Sequence, residues 1–295
     1  MDRVSEVRRF NRLITQQVGA LSDRYLSRDR SLGEARVLWE IGLDGCEVRT
    51  LRRRLELDSG YLSRLLRSLE ADGLARVRPS KEDRRVGRAE LTGKGRAEWT
   101  VLDHRSDDLA RRLLSPLDDG AQERLAVAMH QVERLLTTSL IETEQIDPAD
   151  RRARWCLDQY VTELARRFPD GFDPAQSISA GENELRPPKG TFILATLRGE
   201  AVGCGALKLH PDAPAELKRM WVAESARGLG LGRRLLAELE QLVIEGGARA
   251  VRLETNKTLT EAIGLYRTAG YREVAAFNDE RYADHWFAKD LARPS

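Results

Sequence analysis

The chain has 295 residues, of which 41% are hydrophobic and 33% are charged, so two globular domains are expected and a disordered chain is excluded. It contains no apolar run long enough to span a membrane, and its charged first residues form no apolar signal segment, which together predict a cytoplasmic protein. The three cysteines, Cys46, Cys156 and Cys204, are far apart and the four histidines are scattered, so neither a disulfide framework nor a metal site is expected.

The formal net charge of +2 conceals an uneven distribution of charge. Fourteen Lys and Arg but only seven Asp and Glu lie between Arg49 and Arg96, so the remainder of the chain carries a formal charge of −5. A basic block of this kind is typical either of a localised polyanion site or of a solvated charged surface.

Apolar residues at three- and four-residue steps predict long helices on both sides of the basic block. The first helix carries Val7, Phe10, Ile14, Val18 and Leu21. Another runs from about Leu117 to Ile141 and is followed by the polar stretch IETEQIDPAD, in which Pro148 cannot continue a helix. A short linker is therefore expected there, between domains over residues 1–146 and 147–295.

A different order of elements is predicted after the linker. It begins with a helix over about residues 151–168, a hairpin in TFILATLRGEAVGCGALKLH and a strand in ELKRMWV. A helix in GRRLLAELEQLVIEGG, a strand in AVRLETN and a short helix in TLTEAIGLYRTAG follow, before two last strands in YREVAAF and YADHWFAKDL. Short connections between such elements predict an α/β domain.

The basic block has the pattern of a helix-turn-helix. Asp58 is a suitable N-cap for the second helix, whose core face carries Leu62, Leu65, Leu66 and Leu69. The outer face carries Gly60, Arg64, Arg67 and Ala71, with Tyr61 and Ser63 beside them. Arginine can donate two hydrogen bonds to a guanine edge, and small residues allow a helix to enter the major groove.

A hairpin after this helix encloses the basic stretch PSKEDRRVGR. Such a hairpin suits a wing that contacts the neighbouring minor groove or the phosphates. The two elements together predict binding to double-stranded DNA, with a winged helix used for protein contacts as the alternative.

Over roughly residues 1–145 the sequence resembles the MarR family of winged-helix regulators. The resemblance rests on DSGYLSRLLRSLEADGLA, on DRRVGRAELT and on the long flanking helices. It implies that Asp83 orients a wing arginine and that Arg85 contacts DNA, with Arg84 in the same basic tip. It also implies a homodimer formed by the first and last helices of the domain, which would place two recognition helices about 34 Å apart.

The stretch RGLGLGRRL places glycines at every second position before a helix. A dinucleotide site is disfavoured by the G-x-G-x-G spacing and by the roughly forty residues that remain after Glu254. A helix start with flexible glycines is a second interpretation, and a pyrophosphate site for coenzyme A is the third. The third fits because glycine N–H groups and a helix dipole attract phosphate, with two arginines adding positive charge. The residues concerned are Arg227, Gly228, Leu229, Gly230, Leu231, Gly232 and Arg233.

From about residue 150 the chain resembles the GNAT superfamily of N-acetyltransferases, through the Arg/Gln-x-x-Gly-x-Gly/Ala pattern of this loop and the order of elements around it. The resemblance implies a mixed, splayed sheet and acetyl-CoA as co-substrate. It implies that Met220, Trp221 and Val222 pair with the pantetheine arm, where one backbone N–H stabilises an oxyanion. It further implies that Asn256 contacts the pantetheine or the substrate and that Tyr266 is the general acid for the leaving thiolate. Packing within its helix is the alternative role for Tyr266.

The acceptor amine needs a group that removes a proton, because an alkylammonium is not nucleophilic. Glu216, at the start of ELKRMWV, is the candidate base, and Glu254 and His285 are alternatives. An ion pair of Glu216 with Lys218 or Arg219 is an equally good interpretation.

The polar loop FNDERYADHW is expected near the acceptor. Arg219, Asn278 and His285 are expected to bind a carboxylate or hydroxyl of the substrate, which favours a small amino-acid-like amine. The chain is thus expected to be a fusion, in which a homodimeric DNA-binding regulator precedes an acetyl-CoA-dependent N-acetyltransferase. Two alternatives remain: a domain that senses acetyl-CoA without turnover, and a protein lysine acetyltransferase.

Overall fold

The computed structural model of the chain describes residues 2–20, 25–27, 29–79, 86–178 and 180–291. The chain divides into two units, one that ends at Ala128 and one that begins at Met129. Each unit buries its own hydrophobic core.

The first unit is mainly helical and contains a small antiparallel sheet. Its elements are α1 (Arg3–Gln17), α2 (Leu32–Ile41), β1 (Cys46–Glu47), α3 (Val48–Leu55), α4 (Ser59–Ala71), β2 (Ala75–Pro79), β3 (Gly87–Leu91), α5 (Gly93–Leu114) and the start of α6 (Asp119–Ser139). The three strands lie in the order β1-β3-β2. This is the expected winged helix-turn-helix arrangement, with α3 and α4 as the two helices and β2 and β3 as the strands of the wing.

The boundaries of α4 follow from its sequence. The side chain of Asp58 accepts a hydrogen bond of 2.8 Å from the backbone N–H of Tyr61, which satisfies one of the free amides of the first turn. Leu62 and Leu69 are almost fully buried in a core that also holds Leu38 and Leu51. The helix therefore buries its leucine face and leaves its arginine face in solvent.

The second unit contains a seven-stranded sheet with helices packed against it. Its elements are β4 (Ile141–Gln145), α7 (Arg151–Arg167), β5 (Gly190–Leu197), β6 (Glu200–Lys208), β7 (Ala215–Val222), α8 (Leu231–Glu245), β8 (Ala250–Thr255), α9 (Thr260–Thr268), β9 (Arg272–Val274) and β10 (His285–Asp290). The strand order is β4-β5-β6-β7-β8-β10-β9. Side chains of β5 alternate between the two faces, because Phe192 and Leu194 belong to the α7 cluster whereas Ile193 and Ala195 belong to the α8 cluster.

The sheet opens in the middle, as the expected fold class requires. Strands β7 and β8 are the parallel pair, and they are matched only at Ala215 with Val251 and at Glu216 with Arg252. Beyond these positions the two strands separate. The separation creates a cleft between their carboxyl-terminal halves, which is the part of a parallel pair where ligands bind.

The segment 141–145 differs from the linker expected there. It forms β4, which pairs antiparallel with β5 from Ile141 opposite Leu197 to Gln145 opposite Ile193. An edge strand can pair with its neighbour when only one of its side chains is buried, so it does not need a run of apolar residues. Here Ile141 is buried and the residues after it are largely exposed. The polar composition that indicated a linker is thus also compatible with an edge strand.

Candidate active site and the exposed face of α4

The glycine loop has the backbone geometry that only glycine adopts without strain. Gly228 and Gly230 have φ angles of +76° and +81°, and a Cβ added to either would meet no atom within 4 Å. Gly230 is the N-cap of α8 and provides no side-chain cap for the first amides of that helix. These amides therefore lie at the start of a 15-residue helix without a capping side chain, which suits an anion.

The two arginines of the loop are placed differently. Arg227 is turned toward the protein: its Nη2 lies 2.5 Å from Glu163 Oε2, and its Nε donates to the Val222 carbonyl at 3.1 Å. The same Glu163 oxygen accepts a 2.9 Å hydrogen bond from Trp221 Nε1. Glu163 thus ties the loop to the end of β7, and both Arg227 and Arg233 line the adjoining cavity. Sequence analysis did not identify Glu163, which lies on α7 outside any motif.

A bulge interrupts β7 where the cleft opens. Arg219 and Met220 together lie opposite the single residue Gly205 of β6, and Arg219 has a φ of +59°. A Cβ on Gly205 would lie 2.8 Å from Met220 Sδ, so this glycine makes room for the bulge. The bulge reorients the backbone of β7 at the point where it enters the cleft.

Two cavities meet in the cleft. The cofactor cavity, of about 680 Å³, lies between the glycine loop, the end of β7 and α9. The acceptor cavity, of about 110 Å³, lies between β7, β8, α7 and the loop before β10. Tyr160, Met220 and Tyr266 are among the residues that line both cavities. A molecule in one cavity would therefore lie beside a molecule in the other.

Tyr266 of α9 is 6% exposed and lies at the junction of the cavities. Burial raises the pKa of Tyr266, and the neighbouring Tyr160 and Glu254 raise it further. Burial also raises the pKa of Tyr160 to about 12. Both phenols therefore keep their protons at neutral pH. Tyr160 lies on α7 and was not identified from the sequence.

Glu254 and Glu216 have different surroundings although both belong to one charge network. Lys218 bridges them: its Nζ contacts Glu254 Oε1 and lies 3.2 Å from Glu216 Oε2. Glu254 lines the acceptor cavity, and its Oε2 is buried with no hydrogen-bond partner among the described residues. Glu216 lies outside the lining of both cavities and pairs also with Arg252 at 2.6 Å, and its Oε1 lies 3.2 Å from His210 Nε2.

The electrostatic state of Glu216 follows from these contacts. Burial alone would raise the pKa of Glu216, but Lys218 and Arg252 hold it below its ordinary value. Glu216 is therefore an ionised structural partner in the sheet. An ion pair of Glu216 with Lys218 was the alternative to a role as the base, and the structure contains this ion pair.

The remaining expected substrate and cofactor residues are separated from one another. Arg219 lines the acceptor cavity, with its guanidinium 5.7 Å from the centre of the Tyr160 ring. Asn256 also lines this cavity, but its side chain donates to the Tyr282 carbonyl at 2.7 Å and accepts from the N–H of Thr258.

Asn278 and His285 lie outside the lining of the two cavities. Asn278 accepts a 2.8 Å hydrogen bond from Trp286, and His285 Nδ1 lies 2.6 Å from Glu273 Oε1. Arg219, Asn278 and His285 were expected to bind the substrate, and of these three the structure places only Arg219 at the acceptor cavity.

The polar loop before β10 reaches the acceptor cavity through residues that the sequence analysis did not select. Glu280, which is 8% exposed, accepts hydrogen bonds from Ser177 Oγ at 2.9 Å and from the backbone N–H of Ile178 at 2.6 Å. Its second oxygen accepts from the backbone N–H of Tyr282 at 3.1 Å. Glu280 thus fastens the segment after α7 to the loop before β10 and closes one side of the cavity.

The outer face of α4 is exposed as expected. Gly60, Tyr61, Ser63, Arg64 and Arg67 are all exposed. The Arg64 guanidinium lies 5.5 Å from the centre of the Tyr61 ring. The expected wing residues Asp83, Arg84 and Arg85 lie outside the described residues.

Two observations concern other classes of site. The described residues contain no cluster of three or more His, Cys, Asp or Glu side chains placed to hold a metal ion. In the described part of the chain, no helix combines the length and the apolar character needed to cross a bilayer.

Comparison with protein families gives two matches along the chain. Residues 29–86 match the model of the MarR family, and residues 157–271 match the model of the acetyltransferase (GNAT) family.

Individual relatives align with the second region. An IAA acetyltransferase from Azospirillum brasilense is 33% identical over 120 residues, which is 40% of this chain and 78% of the relative. An uncharacterized N-acetyltransferase from Schizosaccharomyces pombe is 36% identical over 95 residues, 31% of this chain and 57% of the relative, so the alignment spans just over half of that protein. Among solved structures, a GNAT-family acetyltransferase from Staphylococcus aureus is 19% identical, covers 52% of this chain and 99% of its own, and has a TM-score of 0.45.

Proposed function

The chain belongs to the GNAT family of acetyltransferases through its second region and carries a MarR-family region before it, and from this premise we propose that it is both an acetyl-CoA-dependent N-acetyltransferase and a DNA-binding regulator. The acetyl acceptor in this proposal is a primary amine of a small, amino-acid-like molecule. Each half of the proposal is supported by its own set of residues.

The junction of the two cavities is the observation that carries the enzymatic half. A reaction between two bound substrates gains most of its rate when both are held in reacting geometry. The cofactor cavity and the acceptor cavity share Tyr160, Met220 and Tyr266, so their occupants would meet there.

The cofactor cavity fits coenzyme A in its chemistry. The uncapped amides at the start of α8 and the open backbone at Gly228 and Gly230 suit a pyrophosphate, and Arg233 adds positive charge. The end of β7, from Met220 to Val222, lines the same cavity and suits an extended amide-containing arm. When bound, acetyl-CoA supplies the acetyl group.

Glu254 is the group that we assign to remove the proton from the acceptor ammonium. Glu254 lines the acceptor cavity, and its buried Oε2 has no hydrogen-bond partner among the residues described, while Lys218 holds its other oxygen. Glu216 is not assigned this role, because its carboxylate is shared among Lys218, Arg252 and His210 away from the cavities.

Tyr266 is the group that we assign to protonate the leaving sulfur. Its raised pKa keeps the phenol protonated at neutral pH, and it lies where the two cavities meet.

Replacement of this hydroxyl tests the enzymatic half. Tyr266→Phe is expected to lower kcat for coenzyme A release by about a hundredfold or more. The affinity for acetyl-CoA should change little, because the ring is retained. Tyr271→Phe is the matched control, since Tyr271 is also buried, its ring centre lies 5.8 Å from that of Tyr266, and it lines neither cavity. Tight acetyl-CoA binding by the wild type with no turnover of any amine would contradict the proposal and indicate a sensor instead.

The exposed arginine face of α4 supports the DNA-binding half of the proposal, because Arg64 and Arg67 can reach base edges or phosphates. A homodimer is supported by apolar side chains left in solvent on two helices. These are Val4, Val7, Phe10 and Leu13 on α1, and Val127, Met129, Val132, Leu135 and Leu136 on α6.

A further inference from the structure

The acceptor cavity has an aromatic wall, which we define as Phe168, Phe172 and Tyr282. Their ring centres are 4.9 to 5.9 Å apart in all three pairs. Ile178 lines the same cavity and is 48% exposed, which is a large exposed fraction for an apolar side chain beside such a wall. A ligand that covered these residues would bury apolar surface, and that burial favours binding.

The charged residues that line the cavity are Lys218, Arg219, Glu254 and Glu280, and one carboxylate oxygen among them has no hydrogen-bond partner in the described part of the chain. All the hydrogen bonds that the structure shows to Glu280 come from the protein itself, from Ser177, Ile178 and Tyr282. Lys218 occupies one oxygen of Glu254. The other oxygen of Glu254, Oε2, has no hydrogen-bond partner among the described residues. The side chain of Glu254 is nine-tenths buried. A buried carboxylate oxygen of this kind is costly unless a ligand pairs with it.

The size of the cavity limits the group that can lie between the wall and Glu254. Its volume is about 110 Å³, and it is open to the cleft. An enclosed apolar cavity of roughly 150 Å³ accommodates benzene. The acceptor cavity is smaller than this but opens to the cleft, so a single ring or a branched alkyl group suits it better than several linked sugar rings.

We propose that the acceptor is a monoamine whose ammonium pairs with Glu254 Oε2 and whose aromatic or branched apolar group packs against the aromatic wall. This inference rests on the proposed acetyltransferase function and specifies its substrate class. Polyamines and aminoglycosides carry several ammonium groups, whereas among the described residues of the cavity one carboxylate oxygen is not already engaged by the protein. In the reaction, the amine nitrogen forms a bond to the acetyl carbon while the bond from that carbon to sulfur breaks. The nitrogen loses two protons: one passes to Glu254, and the other replaces the proton that Tyr266 donates to the thiolate sulfur.

The test compares amines that differ in one property. The panel contains 2-phenylethylamine and L-phenylalanine as aromatic monoamines, ethylamine as the same ammonium without the ring, and spermidine and an aminoglycoside as polycations. Release of coenzyme A from acetyl-CoA is measured with the full chain. The better of the two aromatic amines is expected to exceed ethylamine in kcat/KM by at least tenfold, because the ring is buried only in the aromatic amine.

Substitution of the wall adds a second comparison. Phe172→Ala should lower kcat/KM for the aromatic amine by about tenfold and leave that for ethylamine nearly unchanged. Phe277→Ala is the matched control, because Phe277 packs on Arg252 at 4.3 Å and lies outside the lining of the acceptor cavity. Acetyl-CoA binding is measured in each variant, and unchanged affinity shows that the unit remains folded.

Binding measured without turnover separates this inference from the proposed function. The thermal shift caused by 2-phenylethylamine is recorded in the presence of coenzyme A. Turnover restricted to spermidine, the aminoglycoside or a protein lysine would overturn the substrate class and retain the acetyltransferase. Binding that depends on Phe172 without any turnover would overturn the enzyme and retain the aromatic site. Neither binding nor turnover of any amine would overturn both.

Discussion

At the scale of single residues, the charge network of the central sheet places two carboxylates in different surroundings, to which we assign different roles. Glu254 lines the acceptor cavity, whereas Glu216 lies away from it and is surrounded by Lys218, Arg252 and His210. A buried carboxylate that is paired on several sides contributes to stability mainly because its removal leaves its partners uncompensated. Substitution of each glutamate should therefore affect a different property of the protein.

Glu216→Gln is expected to lower stability with little effect on the chemical step. The pKa of Glu216 is lowered from its unfolded value of 4.5, so its stabilising effect is complete above about pH 4.5 and is lost as the pH falls through the lower value in the folded protein. The loss at pH 7 should be about 3 kcal/mol. The difference between the thermal midpoints of wild type and variant should therefore be large at pH 7 and shrink toward pH 3.

Two further variants complete this comparison. Glu224→Gln, at an exposed ion pair with Arg166, should change the midpoint little at either pH. Glu254→Gln should instead lower kcat strongly while the protein remains folded. A Glu216→Gln protein that lost turnover but not stability would contradict the assignment of these roles.

The choice between the two glutamates could not be made from the sequence. Both lie on strands of the predicted sheet, and their spacing along the chain does not indicate where the strands separate. The parallel register ends at Glu216 and Arg252, so Glu254 lies two residues into the opened cleft and Glu216 does not. This difference depends on the pairing of two strands that lie apart in the sequence.

At the scale of single elements, the two ends of α8 allow the effect of an alanine substitution to be compared. Gly230 precedes the helix and Gly247 follows it. Their φ angles are +81° and +83°, and a Cβ on either would contact nothing within 4 Å. Alanine at either position should therefore cost a similar free energy of unfolding, about 1 kcal/mol. Only Gly230→Ala places a methyl group beside the cofactor cavity, so only this variant should bind acetyl-CoA at least tenfold more weakly by calorimetry. Equal affinities would show that the loop does not bind the phosphates.

The sequence predicts elements well where their geometry is local. The glycine pattern of the loop and the Asp58 cap of α4 each depend on a few adjacent residues, and both are found as expected. Tyr160 and Glu163 were missed because they lie on α7 among ordinary helical residues. Their spacing of three places them on one face of α7 beside the buried Leu164, and both are half-buried. A tyrosine and a glutamate three residues apart on the core-facing side of a helix form the pattern that indicates them.

At the scale of the whole molecule, the order of the two regions was predictable and is confirmed by the family matches. The proposed homodimer follows from exposed apolar residues on α1 and α6, of which Leu135 and Leu136 are 68% and 62% exposed. Monomeric soluble proteins rarely leave such clusters in solvent.

Replacing both leucines with glutamate tests the dimer. The Leu135→Glu, Leu136→Glu protein should elute as a monomer in light-scattering chromatography and bind a selected DNA duplex more weakly than the wild type, because two half-sites can no longer be bound together. Val274→Glu is the control, since Val274 is 40% exposed on the edge strand β9. An unchanged molar mass for the double variant would place the dimer contact elsewhere or exclude a dimer.

The pairing of β4 with β5 has a practical consequence for anyone who isolates the catalytic half. A fragment that began at residue 147 would lack β4 and would expose the backbone groups of β5 that now pair with residues 141–145. An uncovered strand rich in Phe, Ile and Leu is a template for intermolecular pairing and precipitation. It would also lose the hydrogen bonds that Arg234 donates to the Ile141 carbonyl and to Thr143, which attach α8 to this strand. A fragment intended to stay in solution should therefore retain β4. Poor solubility of a fragment without β4 would not show that it lacks catalytic activity.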